Sequence, residues 1–80
     1  MEQTQFLNGV NRKGDKAWKE LYRYFYAPLC SYSVKITGDA DAAEDIVQGC
    51  LVRLWRSSII FTDIKAITTY LYRAVYNGSL

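Results

Sequence analysis

Histidine is missing from this 80-residue chain, and cysteine occurs only twice. Without an imidazole, the usual general base of neutral-pH catalysis is gone. Two cysteines without a histidine do not make a zinc site. Cys30 and Cys50 read instead as buried free thiols in a reducing, cytoplasmic setting. No stretch approaches the roughly 20 apolar residues of a membrane span. The N-terminus lacks the apolar run of a signal peptide. There is no glycine-rich phosphate loop and no serine nucleophile motif. Glu44 and Asp45 are neighbours that point about 100° apart on a helix, so they form no catalytic dyad. Neither an enzyme nor a bound cofactor or metal is expected.

What is present is apolar and aromatic surface. Half of the residues are hydrophobic and 15% are aromatic, enough for one compact domain and too much for a disordered chain. The formal charge is only +2, but it is unevenly spread. Residues 1–45 hold six basic and seven acidic side chains; residues 46–80 hold Arg53, Arg56, Lys65 and Arg73 against Asp63 alone. The C-terminal half is thus the better candidate for facing a polyanion.

The stretch from Asp39 to Arg56 organises the rest. Ala43, Ile46, Val47, Cys50, Leu51, Leu54 and Trp55 step by three and one, which is a helical stripe. Asp39, Asp41, Glu44 and Asp45 crowd its start, where free backbone N–H groups favour anions. Asp41 with Glu44 resembles a capping box, and Asp39 is the competing cap. On the opposite face Asp41, Asp45, Gln48 and Val52 form a line, with Gly49 beside it. A glycine in an exposed helix costs about 1 kcal/mol relative to alanine, so another surface coming close is one reason for it.

Three further helices are expected around this one. Phe6, Leu7 and Val10 share a face of a short helix ending near Asn11. Gly14 suits the turn and Asp15 can cap the next helix. That long helix runs to about Thr37 on a stripe of Trp18, Leu21, Tyr22, Phe25, Leu29, Tyr32 and Ile36. Pro28 should bend it near Ala27 without breaking it, and Gly38 ends it. After a connection over Ser57–Asp63, Asp63 caps a last helix from Ile64 to about Asn77, with Ile64, Ile67, Thr68, Leu71, Ala74 and Val75 inward. The expected fold is all-α, a three-helix bundle with a short N-terminal helix. Ile59, Ile60 and Phe61 are either a lid on the core or an exposed apolar loop. Lys65, Tyr72, Arg73, Tyr76 and Asn77 interleave rings and cations, as single-stranded nucleic-acid surfaces do.

The segment Ala43-Glu44-Asp45-Ile46-Val47-Gln48, followed by Leu51-Val52-Arg53-Leu54-Trp55, resembles the region 2 signature of bacterial extracytoplasmic-function sigma factors. The Ala17-Trp18, Leu21-Tyr22, Pro28-Leu29 and Tyr32 pattern resembles the first long helix of that region. Ile64-Lys65-Ala66-Ile67, Tyr70-Leu71-Tyr72-Arg73-Ala74-Val75 and Asn77 resemble its minus-ten recognition helix. Gly49 stands where the family usually has Glu, Leu51 where it has Phe, and Gly78 where a basic residue is common. The resemblance covers roughly residues 10–80 and one of the family's two domains. The C-terminal helix-turn-helix domain that reads the minus-thirty-five element is not in this chain, which is expected to be a single-domain piece.

The resemblance implies a transcription-initiation module. Asp45, Gln48, Gly49 and Val52 would meet the clamp coiled coil of the RNA polymerase β′ subunit. Phe61, Lys65, Tyr72, Arg73, Tyr76 and Asn77 would hold the non-template strand of the promoter minus-ten element, with a flipped base received by the loop before the last helix. An anti-sigma factor is the implied regulatory partner. The competing reading is a helical adaptor that binds a partner protein through the face around Gln48 and Gly49 and never meets DNA.

Overall fold

A computed structural model describes residues 2–80. Four helices follow in order: α1 (Gln3–Asn11), α2 (Asp15–Thr37), α3 (Ala40–Arg56) and α4 (Ile64–Ser79). Among the described residues there is no strand. The longest dimension is 36 Å, close to the roughly 34 Å that 23 residues of α2 span at about 1.5 Å each. The domain is therefore as long as its central helix, with the others laid along it.

Each boundary has a local cause. Gly38 adopts φ 71°, the left-handed conformation that ends α2 without a Cβ penalty. The chain then turns into Asp39, whose carboxylate accepts from the N–H groups of Asp41 (3.0 Å) and Ala42 (3.2 Å). Asp39 is thus the cap of α3, and Asp41 lies inside its first turn. Asp63 caps α4 by accepting from the Ala66 N–H at 2.8 Å. Caps of this kind are worth about 1 kcal/mol each.

The α1–α2 turn departs from expectation. Gly14, in extended backbone, occupies the cap position of α2 and Asp15 is the first helical residue. The left-handed residue is Lys13, at φ 60°. The Gly14 N–H donates to the Gly9 carbonyl (2.8 Å) and the Lys13 N–H to Val10 (3.0 Å), the paired bonds of a Schellman turn. α1 reaches α2 closely because Gly9 has no side chain: a Cβ there would stand 2.5 Å from that of Ala17.

The core is formed by Val10, Leu21, Phe25, Leu29, Val47, Leu54, Ile67, Leu71 and Val75, all at most 3% exposed. These positions recur at helical spacing on α2, α3 and α4, and α1 contributes Val10. Ser33 and Ser79 are the buried polar exception, with their hydroxyls 2.7 Å apart. Ser79 uses its proton on the Val75 carbonyl (2.7 Å), so Ser33 donates within the pair and neither hydroxyl is left unsatisfied. α2 runs through Pro28 as one element. Pro28 and Tyr24, whose carbonyl loses its helical partner to the proline, are both exposed, so water can meet the loss.

Two stripe residues are not interior. Tyr22 (43% exposed) and Trp55 (39%) lie at the edge of the α2–α3 seam. The inner lines of the two helices are already filled by Leu21, Phe25, Leu51 and Leu54. The displaced rings pair instead, Trp18 edge-on to Trp55 at 4.9 Å and Tyr22 stacked on Tyr26 at 4.8 Å. Cys50 is buried and Cys30 half-buried, both as free thiols.

Candidate functional site

The outer face of α3 carries an acid-and-amide ridge. Asp41, Asp45, Gln48 and Val52 are all exposed. Among the described residues the one ion pair is Arg23–Glu20, at 3.1 Å on α2, so the Asp41 and Asp45 carboxylates meet no cation. Gln48 is tethered across the seam: its amide donates to the Tyr26 hydroxyl at 3.4 Å, and that hydroxyl donates to Glu44 at 3.5 Å. Next to Gln48, Gly49 leaves room that Arg53 occupies. A Cβ at 49 would lie 3.2 Å from Arg53 Nη1, while Arg53 Nη2 donates to Cys50 Sγ at 3.3 Å. Burial raises the Cys50 thiol pKa, against the lowering effect of the Arg53 cation. The glycine thus lets the Arg53 cation lie along α3 beside the acid-and-amide ridge.

Beside the ridge lies a feature that helical periodicity does not reveal. Trp18, Tyr22, Leu51, Val52 and Trp55 line an apolar groove of about 430 Å³ between α2 and α3, with Gln48 at its edge. Trp18, Tyr22, Leu51 and Trp55 belong to the expected core stripes, and Val52 to the expected docking line. The usable signal is crowding: both helices carry more large apolar residues than one seam can cover.

The second surface lies on α4. Lys65, Arg73, Tyr76 and Asn77 are exposed, and Tyr72 is half-buried. At 100° per residue these five positions fall within a sector of about 140°. Tyr72 packs edge-on against Tyr32 of α2 at 5.1 Å, which leaves part of its ring open. The Asn77 amide takes part in no hydrogen bond among the described residues, so its donor and acceptor are both available.

Of the two readings of the 59–61 loop, Phe61 follows the lid and not the exposed loop. Its side chain is 7% exposed and belongs to the core, edge-on to Tyr70 at 5.8 Å. The exposed apolar side chains of the loop are Ile59 (37%) and Ile60 (65%). Asn11 explains the inward turn: its amide donates to the Phe61 carbonyl and its carbonyl accepts the Phe61 N–H, both at 2.9 Å. Phe61 still has one edge on the surface, where it lines a depression of about 450 Å³ with Asp63, Lys65, Thr69, Tyr70 and Arg73. An aromatic wall, a hydroxyl and two cations are equipment for a base and its phosphates.

With this geometry in place, comparison with known families is decisive. The family model for sigma-70 region 2 matches residues 21–80, three quarters of the chain. The protein belongs to the sigma-70 region 2 family. Neither a curated protein nor a solved structure matches it. A sigma-70 region 2 domain serves transcription initiation, with core RNA polymerase and promoter DNA as its partners, and the family is one of transcription factors rather than enzymes. All the candidate residues of the two surfaces lie inside the matched span, whereas α1 and the first turns of α2 lie outside it. Gly78, where the sigma pattern commonly has a basic residue, faces α3: a Cβ there would stand 3.1 Å from Ile46 Cγ2.

Proposed function

We propose that this sigma region 2 domain is of the extracytoplasmic-function type and uses its two surfaces for different partners. The α3 ridge docks on the clamp coiled coil of the polymerase β′ subunit. Asp45 supplies a charge and Gln48 a preoriented amide, while Val52 adds apolar contact and Gly49 lies beside them on the docking face, the space of its missing side chain taken by the Arg53 guanidinium. The groove beside Gln48 offers a place for an apolar anchor, the kind of pocket that dominates interface energetics.

The α4 edge holds and helps open the minus-ten element in the cytoplasm, where polymerase and promoter are. Lys65 and Arg73 meet phosphates, Tyr72 and Tyr76 stack on unpaired bases, and Asn77 reads a base edge with its paired donor and acceptor. Flipping a base out costs a few kcal/mol. Stacking recovers about 1–3 kcal/mol per base, so the depression walled by Phe61 and the two rings can offset the cost together. An anti-sigma factor would act by covering either surface.

The observation that carries this reading is the cationic and aromatic edge of α4, where Lys65 and Arg73 outnumber Asp63 and form no ion pair among the described residues, on the same domain as the carboxylate ridge of α3. An adaptor has no use for the first. The test is capture of core polymerase by this chain, with Asp45→Ala and Gln48→Ala as controls, alongside binding of labelled minus-ten single strands. Capture unaffected by both substitutions would remove the ridge from the interface.

A further inference from the structure

The α1–α2 turn reaches both ends of the connection that precedes α4. At one end the Lys13 ammonium approaches the Leu54 carbonyl in the last turn of α3 at 3.4 Å and lies 5.3 Å from the centre of the Trp18 ring. At the other end Asn11 brackets Phe61 with two hydrogen bonds of 2.9 Å, one to each side of its backbone. Between these anchors the backbone is held locally by Ser57, whose hydroxyl donates to Leu54 at 2.8 Å and accepts from the Ile59 N–H at 3.3 Å. Ile60 has no such tie among the described residues and is the most exposed side chain of the apolar trio.

We propose that Asn11 is a positioning residue for base recognition: it fixes Phe61 as the wall of the α4 depression and leaves Ile59 and Ile60 outward. The inference rests on the nucleic-acid reading of that depression. Its logic is geometric. A loop residue with both backbone groups bonded to one side chain cannot rotate either of its flanking peptide planes without breaking the bond that plane carries. Nothing in the connection itself sets whether Phe61 or Ile60 points inward, since both are large and apolar. Asn11 sets it, from a helix that lies outside the span matched by the sigma family. Asparagine is needed because donor and acceptor must come from one planar group. An aspartate at this position could accept from the N–H but would oppose the carbonyl, and an alanine would do neither.

The test uses this chain with core polymerase and a pool of labelled single strands randomised across the recognition element. The readout is the spread of affinities between favoured and disfavoured bases. Asn11→Ala should narrow that spread by about fivefold, the worth of roughly one hydrogen bond, while polymerase affinity stays unchanged. Asn11→Asp, which keeps the bond from the N–H but sets a carboxylate oxygen against the carbonyl, should also narrow the spread. It also carries the test should Asn11→Ala lose helix content. Unchanged selectivity in both variants, with Ile60→Ala narrowing it, would overturn the role of Asn11 and leave the nucleic-acid reading standing. Strand binding unaffected by Lys65→Ala, Arg73→Ala and Ile60→Ala would overturn that reading, and the role of Asn11 with it.

Discussion

The Gln48 amide donates to the Tyr26 hydroxyl at 3.4 Å, joining the exposed face of α3 to the exposed flank of α2. A side chain with several free torsions is thereby held in one region before any partner arrives, which lowers the ordering cost of binding. Gln48→Ala should weaken core polymerase affinity by about 1 kcal/mol or more. Tyr26→Phe should cost less, and the double variant should cost less than the two single losses added together. Titration of the four proteins against core enzyme measures this coupling. Strict additivity would mean that the bond does not matter for docking.

At position 49 the effects of helix stability and docking point the same way. Gly49→Glu removes a glycine from a helix interior, worth about 0.5–1 kcal/mol. It also places Glu four residues before Arg53, a pairing worth about 0.3–0.5 kcal/mol on an exposed helix. Arg53 must give way by a few tenths of an ångström, which the end of a flexible side chain can do. Thermal unfolding should therefore shift upward, and polymerase docking should tighten. A stabilised variant that docks more weakly would show that the partner requires the bare backbone.

Gly9→Ala should do the opposite. The new methyl would meet the Ala17 Cβ at 2.5 Å, with backbone on both sides and nothing soft to move. Overpacking of this kind costs about 1–3 kcal/mol, and each kcal/mol lowers the midpoint of a domain this size by about 4–8 °C. A calorimetric midpoint within a degree of the parent would contradict the close α1–α2 crossing.

The thiols give a pH prediction. Burial raises the pKa of Cys50, against the Arg53 cation, and burial likewise raises that of Cys30. The folded chain thus holds each thiol proton more tightly than the unfolded chain does. That contribution to stability is intact below the ordinary thiol pKa of about 8.5 and is lost as pH rises through the folded values. Alkylation near neutral pH should be slow at both sites and slower at the fully buried Cys50. Mass spectrometry of the partly modified chain should therefore find Cys30 labelled first; equal labelling would mean that Cys50 is not enclosed.

Salt dependence separates phosphate contacts from base contacts. Lys65→Ala and Arg73→Ala should each flatten the log–log salt slope of single-strand binding by about 0.7, the share of one phosphate. Tyr76→Ala should weaken binding at all salt concentrations and leave the slope alone. A slope unchanged by both cation substitutions would place the phosphates elsewhere.

Much of this architecture was legible in the order of residues. The three-and-one stepping from Ala43 to Trp55 carries α3 because a helix repeats its environment every few residues. Gly38 and Asp63 act on neighbours in sequence, so their roles could be read locally. The choice between Asp39 and Asp41 was open because both are acids near one helix start; the bonds from the Asp41 and Ala42 N–H groups to the Asp39 carboxylate settle it in favour of Asp39. Whether Phe61 is a lid on the core or part of an exposed loop was open for another reason. Its orientation is set by Asn11, fifty positions away, and a contact of that range leaves no period in the chain. The spacing of Tyr22 and Trp55 fits the core stripe, yet spacing does not say how many large rings one seam can hold.

The central claim is that two faces of one bundle serve two partners, and a crossed measurement tests it most directly. Gln48→Ala and Asn77→Ala would each be titrated against core polymerase and, in the assembled complex, against a minus-ten single strand. The account predicts that Gln48→Ala lowers polymerase affinity and leaves strand affinity of the assembled complex intact, whereas Asn77→Ala does the reverse. Loss of both affinities in either folded variant, or of neither in both, would contradict it.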